Sequence, residues 1–225
     1  MPRLSKRLLG VTSLVDSGDI VFDVGSDHAL VPIYLVKENI AIKAYASDIN
    51  VGPYNSALKN IKKHNLEGKV IALKSDGISN ISEDVNSVVI AGMGGKLIVD
   101  ILDQDKTKLE GIKSLILAPN IAANTVREWL MNNKFMIEKE LIIEEDNKFY
   151  EVIKALRVKE NVSYTEEELF FGPILLRSRN KTFIKKWQKK LNKKKKILDK
   201  IKNDKLDAYH MNLEEIKIIE KMLEG

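Results

Sequence analysis

The stretch Phe22-Asp23-Val24-Gly25-Ser26-Asp27-His28-Ala29-Leu30-Val31-Pro32 decides the fold, because an apolar strand ends there in a glycine turn that carries two carboxylates and opens a helix. Glycine turns between a strand and a helix normally offer backbone N–H groups to a pyrophosphate, and a carboxylate in such a turn repels phosphate. This turn suits a cation instead. The cofactor with a nucleoside end, a positive sulfonium and no phosphate is S-adenosylmethionine, so methyl transfer is the first hypothesis. Taken singly, Asp23 or Asp27 could equally cap the following helix, and His28 could be a packed or capping histidine.

Outward from this turn, short apolar runs alternate with helical patterns as far as residue 157 or so. That alternation predicts a mostly parallel sheet covered by helices on both faces, an α/β fold of the Rossmann-like kind. The predicted strands are Ile20–Val24, Lys43–Ser47, Val70–Leu73, Ser87–Ala91 and Ser114–Leu117, with helices over Tyr54–Lys63, Lys96–Leu102 and Asn124–Met131. Two further runs, Phe135–Ile143 and Tyr150–Val158, flank the turn signal Glu145-Asp146-Asn147 and predict a hairpin whose last strand is antiparallel to its neighbours. The sheet then has seven strands.

In such a sheet a ligand lies over the carboxyl ends of the strands, where strand order reverses. Four consecutive strand ends carry candidate residues. After Asp23, Gly25, Ser26, Asp27 and His28 come Asp48-Ile49, then Asp76-Gly77, then Ala91-Gly92-Met93-Gly94. An acid after the second strand is placed to accept hydrogen bonds from a ribose diol, and one after the third suits the exocyclic amine of adenine. Small residues after the fourth allow the cofactor and an incoming base to approach closely. Each feature alone is an ordinary turn or cap; their order and register carry the argument. A nicotinamide enzyme would need G-x-G-x-x-G, but Asp27 and Leu30 stand at the second and third glycine positions. The cluster Gly92-Met93-Gly94-Gly95-Lys96 also fails the spacing of a phosphate-binding loop and lacks the Ser or Thr after lysine.

With 225 residues, 44% of them apolar, the chain can form one α/β domain and a smaller appendage. There is no cysteine, which excludes disulfides, thiolate metal sites and cysteine nucleophiles. No run of apolar residues reaches membrane-spanning length, and the sequence is read as soluble and cytoplasmic, with no metal site and no membrane partner. The formal charge of +5 hides an asymmetry: Arg177 to Lys205 holds 14 Lys or Arg against Asp199 and Asp204, which leaves the remainder acidic. A basic arm on an acidic body suits a polyanion. Beyond Lys159 a second unit is expected, so the domains are drawn as 1–160 and 161–225. In the latter, Phe183, Trp187, Leu191, Leu198 and Ile201, then Leu206, Tyr209, Leu213, Ile216, Ile219 and Leu223, recur at helical spacing on either side of a turn at Lys202–Lys205. This predicts an antiparallel helical hairpin with its lysines in water.

Seven motifs together carry a specific resemblance. They are Leu4-Ser5-Lys6-Arg7-Leu8, the 23–32 run, Ser47-Asp48-Ile49-Asn50, Ser75-Asp76-Gly77, Ile90-Ala91-Gly92-Met93-Gly94-Gly95, Leu117-Ala118-Pro119-Asn120 and Lys148-Phe149-Tyr150-Glu151. In this order they resemble the bacterial tRNA (adenine(22)-N1)-methyltransferase family, class I enzymes that use S-adenosylmethionine and carry a C-terminal coiled coil. The sequence departs from the family pattern at Ala29, where a glycine is expected, and at Ala118, where a glutamine precedes Pro-Asn. The resemblance implies a tRNA partner, and Asp27 and His28 are the candidates nearest the reacting centre. Lys6, Arg7, Pro119, Asn120, Lys148 and Tyr150 are the candidates for the substrate base, and the hairpin lysines Lys186, Lys189 and Lys193 for RNA. A monomer is expected. Methylating a ring nitrogen requires no covalent enzyme intermediate, which the lack of cysteine permits. The alternatives are a methyltransferase for another RNA or a small substrate, and a non-catalytic RNA-binding protein with the same fold.

Overall fold

The computed structural model describes residues 2–198 and 206–224. Seven strands, β1 (Asp19–Val24), β2 (Ala41–Asp48), β3 (Val70–Lys74), β4 (Ser87–Ala91), β5 (Ser114–Ala118), β6 (Phe135–Glu145) and β7 (Lys148–Arg157), form one sheet in the order β3-β2-β1-β4-β5-β7-β6. The first five strands are parallel, and β7 runs antiparallel to both β5 and β6. The expected strand positions hold to within two residues at each end. The hairpin turn falls within the expected Glu145-Asp146-Asn147 and is of the two-residue kind, with Asp146 at φ +50° and Asn147 at φ +59°, the paired positive φ that matches the twist of the flanking strands.

Helices cover both faces because the central strands are apolar on both. In β1, β4 and β5 successive residues point to opposite sides. Phe22, Ile90 and Leu117 join one cluster with Ile98 and Leu102 of α4 (Gly95–Gln104) and Val126, Trp129 and Leu130 of α5 (Ala123–Asn132). Val21, Val89 and Ile116 join another with Val11 of α1 (Lys6–Thr12), Ile33 and Leu35 of α2 (Leu30–Lys37), and Ala57 and Ile61 of α3 (Val51–Lys63). The short helix α1 is absent from the sequence expectations; the Ser5 hydroxyl caps it by accepting the Leu8 N–H at 3.3 Å.

The chain divides into two units at Arg177 and Ser178, later than the boundary expected after residue 160. The reason is a buried ionic cluster. Arg127 on α5 is fully buried; its Nε donates to Glu140 Oε1 at 2.7 Å, its Nη2 pairs with Glu151, and its Nη1 donates to the Leu169 carbonyl at 3.2 Å. The second Glu140 oxygen accepts the N–H groups of Ile174 and Leu175 at 2.9 and 3.3 Å. These bonds fasten α6 (Glu166–Phe171) and α7 (Pro173–Ser178) to the sheet domain. The helix start expected at Thr165 is a full capping box with Glu168, and the break at Gly172 takes φ +94°.

The second unit, Ser178–Gly225, contains α8 (Lys181–Leu198) and α9 (Leu206–Glu224). Phe183, Trp187 and Leu191 on α8 and Ile216, Ile219 and Met222 on α9 are buried. Contacts of Arg179 with the Met222 carbonyl and of Lys194 with Asn212 show the two helices to be antiparallel. The expected turn, Lys202–Lys205, and Ile201 lie outside the described residues, as does the side chain of Leu206.

Candidate active site

Strand order reverses between β1, which continues to β2, and β4, which continues to β5. In doubly wound sheets such a reversal is where the connecting loops part and a ligand lies over the strand ends. The loop after β1 is tightly wound, with Gly25 at φ +67°, His28 at +57° and Ala29 at +54°. The left-handed conformation at position 25 favours glycine, and its open side faces the Met93 methyl group of the β4 loop. The same turn is cross-tied to β2: the Ser26 N–H donates to the Ser47 carbonyl at 2.8 Å, and the Ser47 hydroxyl to the Asp23 carbonyl at 3.1 Å. Asp23 is buried, and desolvation pushes its carboxyl up to about 7, with the Ser26 hydroxyl offsetting part of the rise. Asp27 and His28 are exposed and face each other, His28 Nε2 lying 3.4 Å from Asp27 Oδ1.

At the end of β2, Asp48 commits Oδ1 to the Asn50 N–H at 2.8 Å. The exposed Ile49 follows it. After β3, the buried Ser75 fixes the turn by donating to the Gly77 carbonyl at 3.2 Å, and Asp76 is left exposed. Beyond β4, Gly92 is exposed while Ala91, Met93 and Gly94 are partly buried. The expected cofactor residues therefore occupy neighbouring strand ends along one edge of the sheet.

A second group gathers beside Gly92. Asn120, just past β5, donates its side-chain N–H to the Gly92 carbonyl at 2.6 Å and its backbone N–H to the Met93 carbonyl at 2.8 Å. Its Oδ1 accepts from Arg7 Nη1 at 3.2 Å, and the Arg7 guanidinium lies 5.2 Å over the Tyr150 ring. Glu145, at the end of β6, accepts the N–H groups of Lys6 and Arg7 at 2.7 and 3.4 Å, and these backbone donors hold its carboxyl below the usual range. Glu145 thereby holds the first turn of α1, and Arg7 with it, against the hairpin. Ser5, Arg7, Asn120, Glu145, Lys148, Phe149 and Tyr150 line one cavity of about 600 Å³. Of the residues expected at the substrate, Arg7, Asn120, Lys148 and Tyr150 meet here. Lys6 is exposed and contributes its backbone, whereas Pro119 is buried beneath the loop. Glu145 was not foreseen; a Glu ending an alternating strand at a turn carries no sign that it will cap a helix 138 residues away.

In the second unit Lys189 and Lys193 line a groove of about 890 Å³ along one face of α8, together with Arg179, Lys181, Lys185 and Lys196. Lys186 is not in this row: its ammonium lies 4.6 Å over the Trp187 ring. Lys190, Lys194 and Lys195 face α9, at 3.5 and 3.0 Å from Glu215 and 2.6 Å from Glu220 respectively. Among the described residues no cluster of His, Asp or Glu is arranged to hold a metal, and no helix is long and apolar enough to cross a membrane.

The family model for TrmK, tRNA (adenine(22)-N(1))-methyltransferase, matches residues 21–222. The chain belongs to this family. The tRNA (adenine(22)-N(1))-methyltransferase of Bacillus subtilis strain 168 is 38% identical over 204 residues, covering 88% of this chain and 86% of the relative. Among solved structures, Streptococcus pneumoniae Sp1610 in complex with S-adenosyl-L-methionine superposes with a TM-score of 0.90 at 35% identity, covering 98% of this chain and 100% of that one. Mycoplasma capricolum TrmK in complex with S-adenosyl-homocysteine gives 0.88 at 30% identity, with 98% of each chain covered. The TrmK fold thus extends over both units of this chain. At the two departures from the TrmK pattern, Ala29 still adopts the left-handed conformation a glycine would take, and Ala118 is buried with its carbonyl accepting the Gly92 N–H at 3.2 Å.

Proposed function

We propose that this protein transfers the methyl group of S-adenosylmethionine to N1 of adenine 22 in tRNA. The observation that carries this reading is the division of the strand-end crevice into two chemistries that meet at Gly92. On one side stand Asp27, Asp48 and Asp76 with the glycine turns; on the other stand Arg7, Lys148, Asn120 and Tyr150. The donor set of the first side fits a phosphate-free, cationic nucleoside. Gly25 keeps the turn after β1 free of a side chain at φ +67°, and carboxylates line the loops where a dinucleotide would need N–H groups. Asp48 would take the ribose hydroxyls, with Ile49 against the adenine ring and Asp76 on its amine. Gly25, Ser26, Ala91, Gly92, Met93 and Gly94 would surround the amino-acid end, with Asp23 supporting the turn from below. When bound, the cofactor supplies an electrophilic methyl group on a positively charged sulfur.

The chain's own residues then have three tasks. Arg7 and Lys148 hold phosphate, Tyr150 and Phe149 offer ring faces to a base, and Asn120 ties this pocket to the Gly92 loop so that N1 meets the methyl carbon in line. N1 attacks with its lone pair and the carbon–sulfur bond breaks, so positive charge passes from sulfur to the adenine ring. Asp27, with His28 beside it, is assigned to face that charge and the proton of the exocyclic amine. The row Lys181, Lys185, Lys189, Lys193 and Lys196 on α8 follows the tRNA backbone. A tRNA substrate places this work in the cytoplasm.

Incubation with labelled cofactor and unmodified bacterial tRNA, followed by digestion to nucleosides, tests the reading: the label is expected in 1-methyladenosine alone. Asp48→Ala should weaken cofactor binding about 10- to 100-fold by calorimetry, the effect of losing a charged hydrogen-bond acceptor.

A further inference from the structure

Ile121 is 72% exposed, more than any other large apolar side chain among the described residues. Ile42, at 61%, stands at the opposite end of β2 from the crevice. Ile121 stands at the crevice itself. Its Cγ1 lies 3.7 Å from where a side chain on Gly94 would begin, and it directly follows Asn120, the residue that joins the two halves of the site. A single exposed isoleucine is ordinary at a protein surface; Ile121 stands apart by its place beside Gly94 and Asn120, where the two halves of the site join.

The support is rigid. Asn120 bonds to the carbonyls of Gly92 and Met93, the Gly95 N–H donates to the Ile121 carbonyl at 2.9 Å, and Ala122 is held at φ +56°. The Ala122 carbonyl occupies the space that any side chain at position 95 would need. Ile121 is therefore presented on a fixed knuckle between β5 and α5, and its β-branch leaves it few rotamers to lose on contact.

The occupant follows from the reaction. N1 lies on the Watson–Crick edge of adenine, so the base must leave its stack before it reaches the methyl group. Proteins that open a stack commonly insert an aliphatic side chain into the gap and hold the flanking phosphates with cations. Arg7 and Lys148 supply such cations in the cavity that Asn120 also lines. Resting on the methyltransferase reading above, we propose that Ile121 is the wedge that enters the tRNA stack in place of adenine 22.

Three proteins, wild type, Ile121→Ala and Ile121→Met, are compared on two tRNA substrates: the intact transcript, and one in which the nucleotide facing adenine 22 is abasic. On intact tRNA, Ile121→Ala should lower kcat/KM about tenfold or more, since extrusion loses its wedge. On the abasic transcript the loss should shrink to about twofold, because the unpaired base leaves its stack at a lower cost. Ile121→Met, which keeps an apolar wedge, should recover most of the activity, and cofactor affinity should be unchanged in all three. With 2-aminopurine at position 22, binding should raise the fluorescence for wild type and not for Ile121→Ala. Equal losses on the two transcripts, weakened cofactor binding, or no loss on either would overturn the wedge. Wild-type protein that leaves both transcripts unmethylated at position 22 would instead overturn the methyltransferase reading and the wedge with it.

Discussion

The sheet domain and the helical hairpin use charge in opposite ways. In the sheet domain Arg127, Glu140, Glu151 and Asp23 are buried and fixed, each with its bonds met inside the fold or its titration displaced. In the hairpin most α8 lysines lie at the surface, one row facing α9 and another lining an open groove. Buried charges define a geometry and are costly to disturb, whereas exposed charges act at a distance and are screened by salt. A reaction that places one ring nitrogen in line with a methyl group needs the first kind; gripping a large polyanion needs the second.

The largest effect is expected where a buried charge loses its partner. Arg127→Met leaves two carboxylates in the interior and releases α6 and α7, and should cost about 3–5 kcal/mol in denaturant unfolding. Replacing Arg127, Glu140 and Glu151 together with apolar residues should recover most of that loss. A triple variant no more stable than the single one would show that the cluster does not act as an ion-paired unit.

Asp23 offers a pH-dependent version of the same contrast. Its folded carboxyl titrates near 7 and its unfolded one near 3.8, so the folded state holds the proton more tightly between those values. Stability should therefore fall as pH rises from about 4 to about 7, by up to about 4 kcal/mol, and level off above. Asp23→Asn removes this titration, so its stability relative to wild type should grow across the same window. A difference independent of pH would contradict the burial argument.

Smaller effects belong to the hairpin. Changing Lys181, Lys193 and Lys196 to Gln should leave folding and cofactor affinity unchanged, weaken tRNA binding, and reduce the slope of log affinity against log salt by about two to three. An unchanged slope would show the groove to be merely solvated. Smallest of all, Lys195→Ala breaks a surface pair with Glu220 and should shift stability by less than about 1 kcal/mol.

The same division governs what the sequence could reveal. Strand ends are local: an apolar run, then Asp23 to His28, Asp48, Asp76 or Gly92, each read within a few residues, and each sits at the crevice edge. The hairpin turn at Asp146 and Asn147 was legible for the same reason. The Arg127 cluster was not, because an arginine on an amphipathic helix and a glutamate on an alternating strand look like solvent-facing residues until the sheet order brings them together. The domain boundary escaped notice with that cluster, and helix α1 did so because its first turn is held by Glu145, far along the chain. Lys186 is one heptad from Lys193 on the same side of α8, and it leaves the row because its ammonium turns over the Trp187 ring, a contact that residue spacing does not show.

Methyl transfer to one ring nitrogen of one nucleotide leaves a product that can be mapped. Unmodified tRNA treated with the protein and S-adenosylmethionine, cut into fragments and weighed by mass spectrometry, should gain a single methyl group on the fragment holding adenine 22. A transcript with guanine at that position should gain none. Methyl groups at another position, or on the guanine transcript, would exclude N1 of adenine 22 as the sole target.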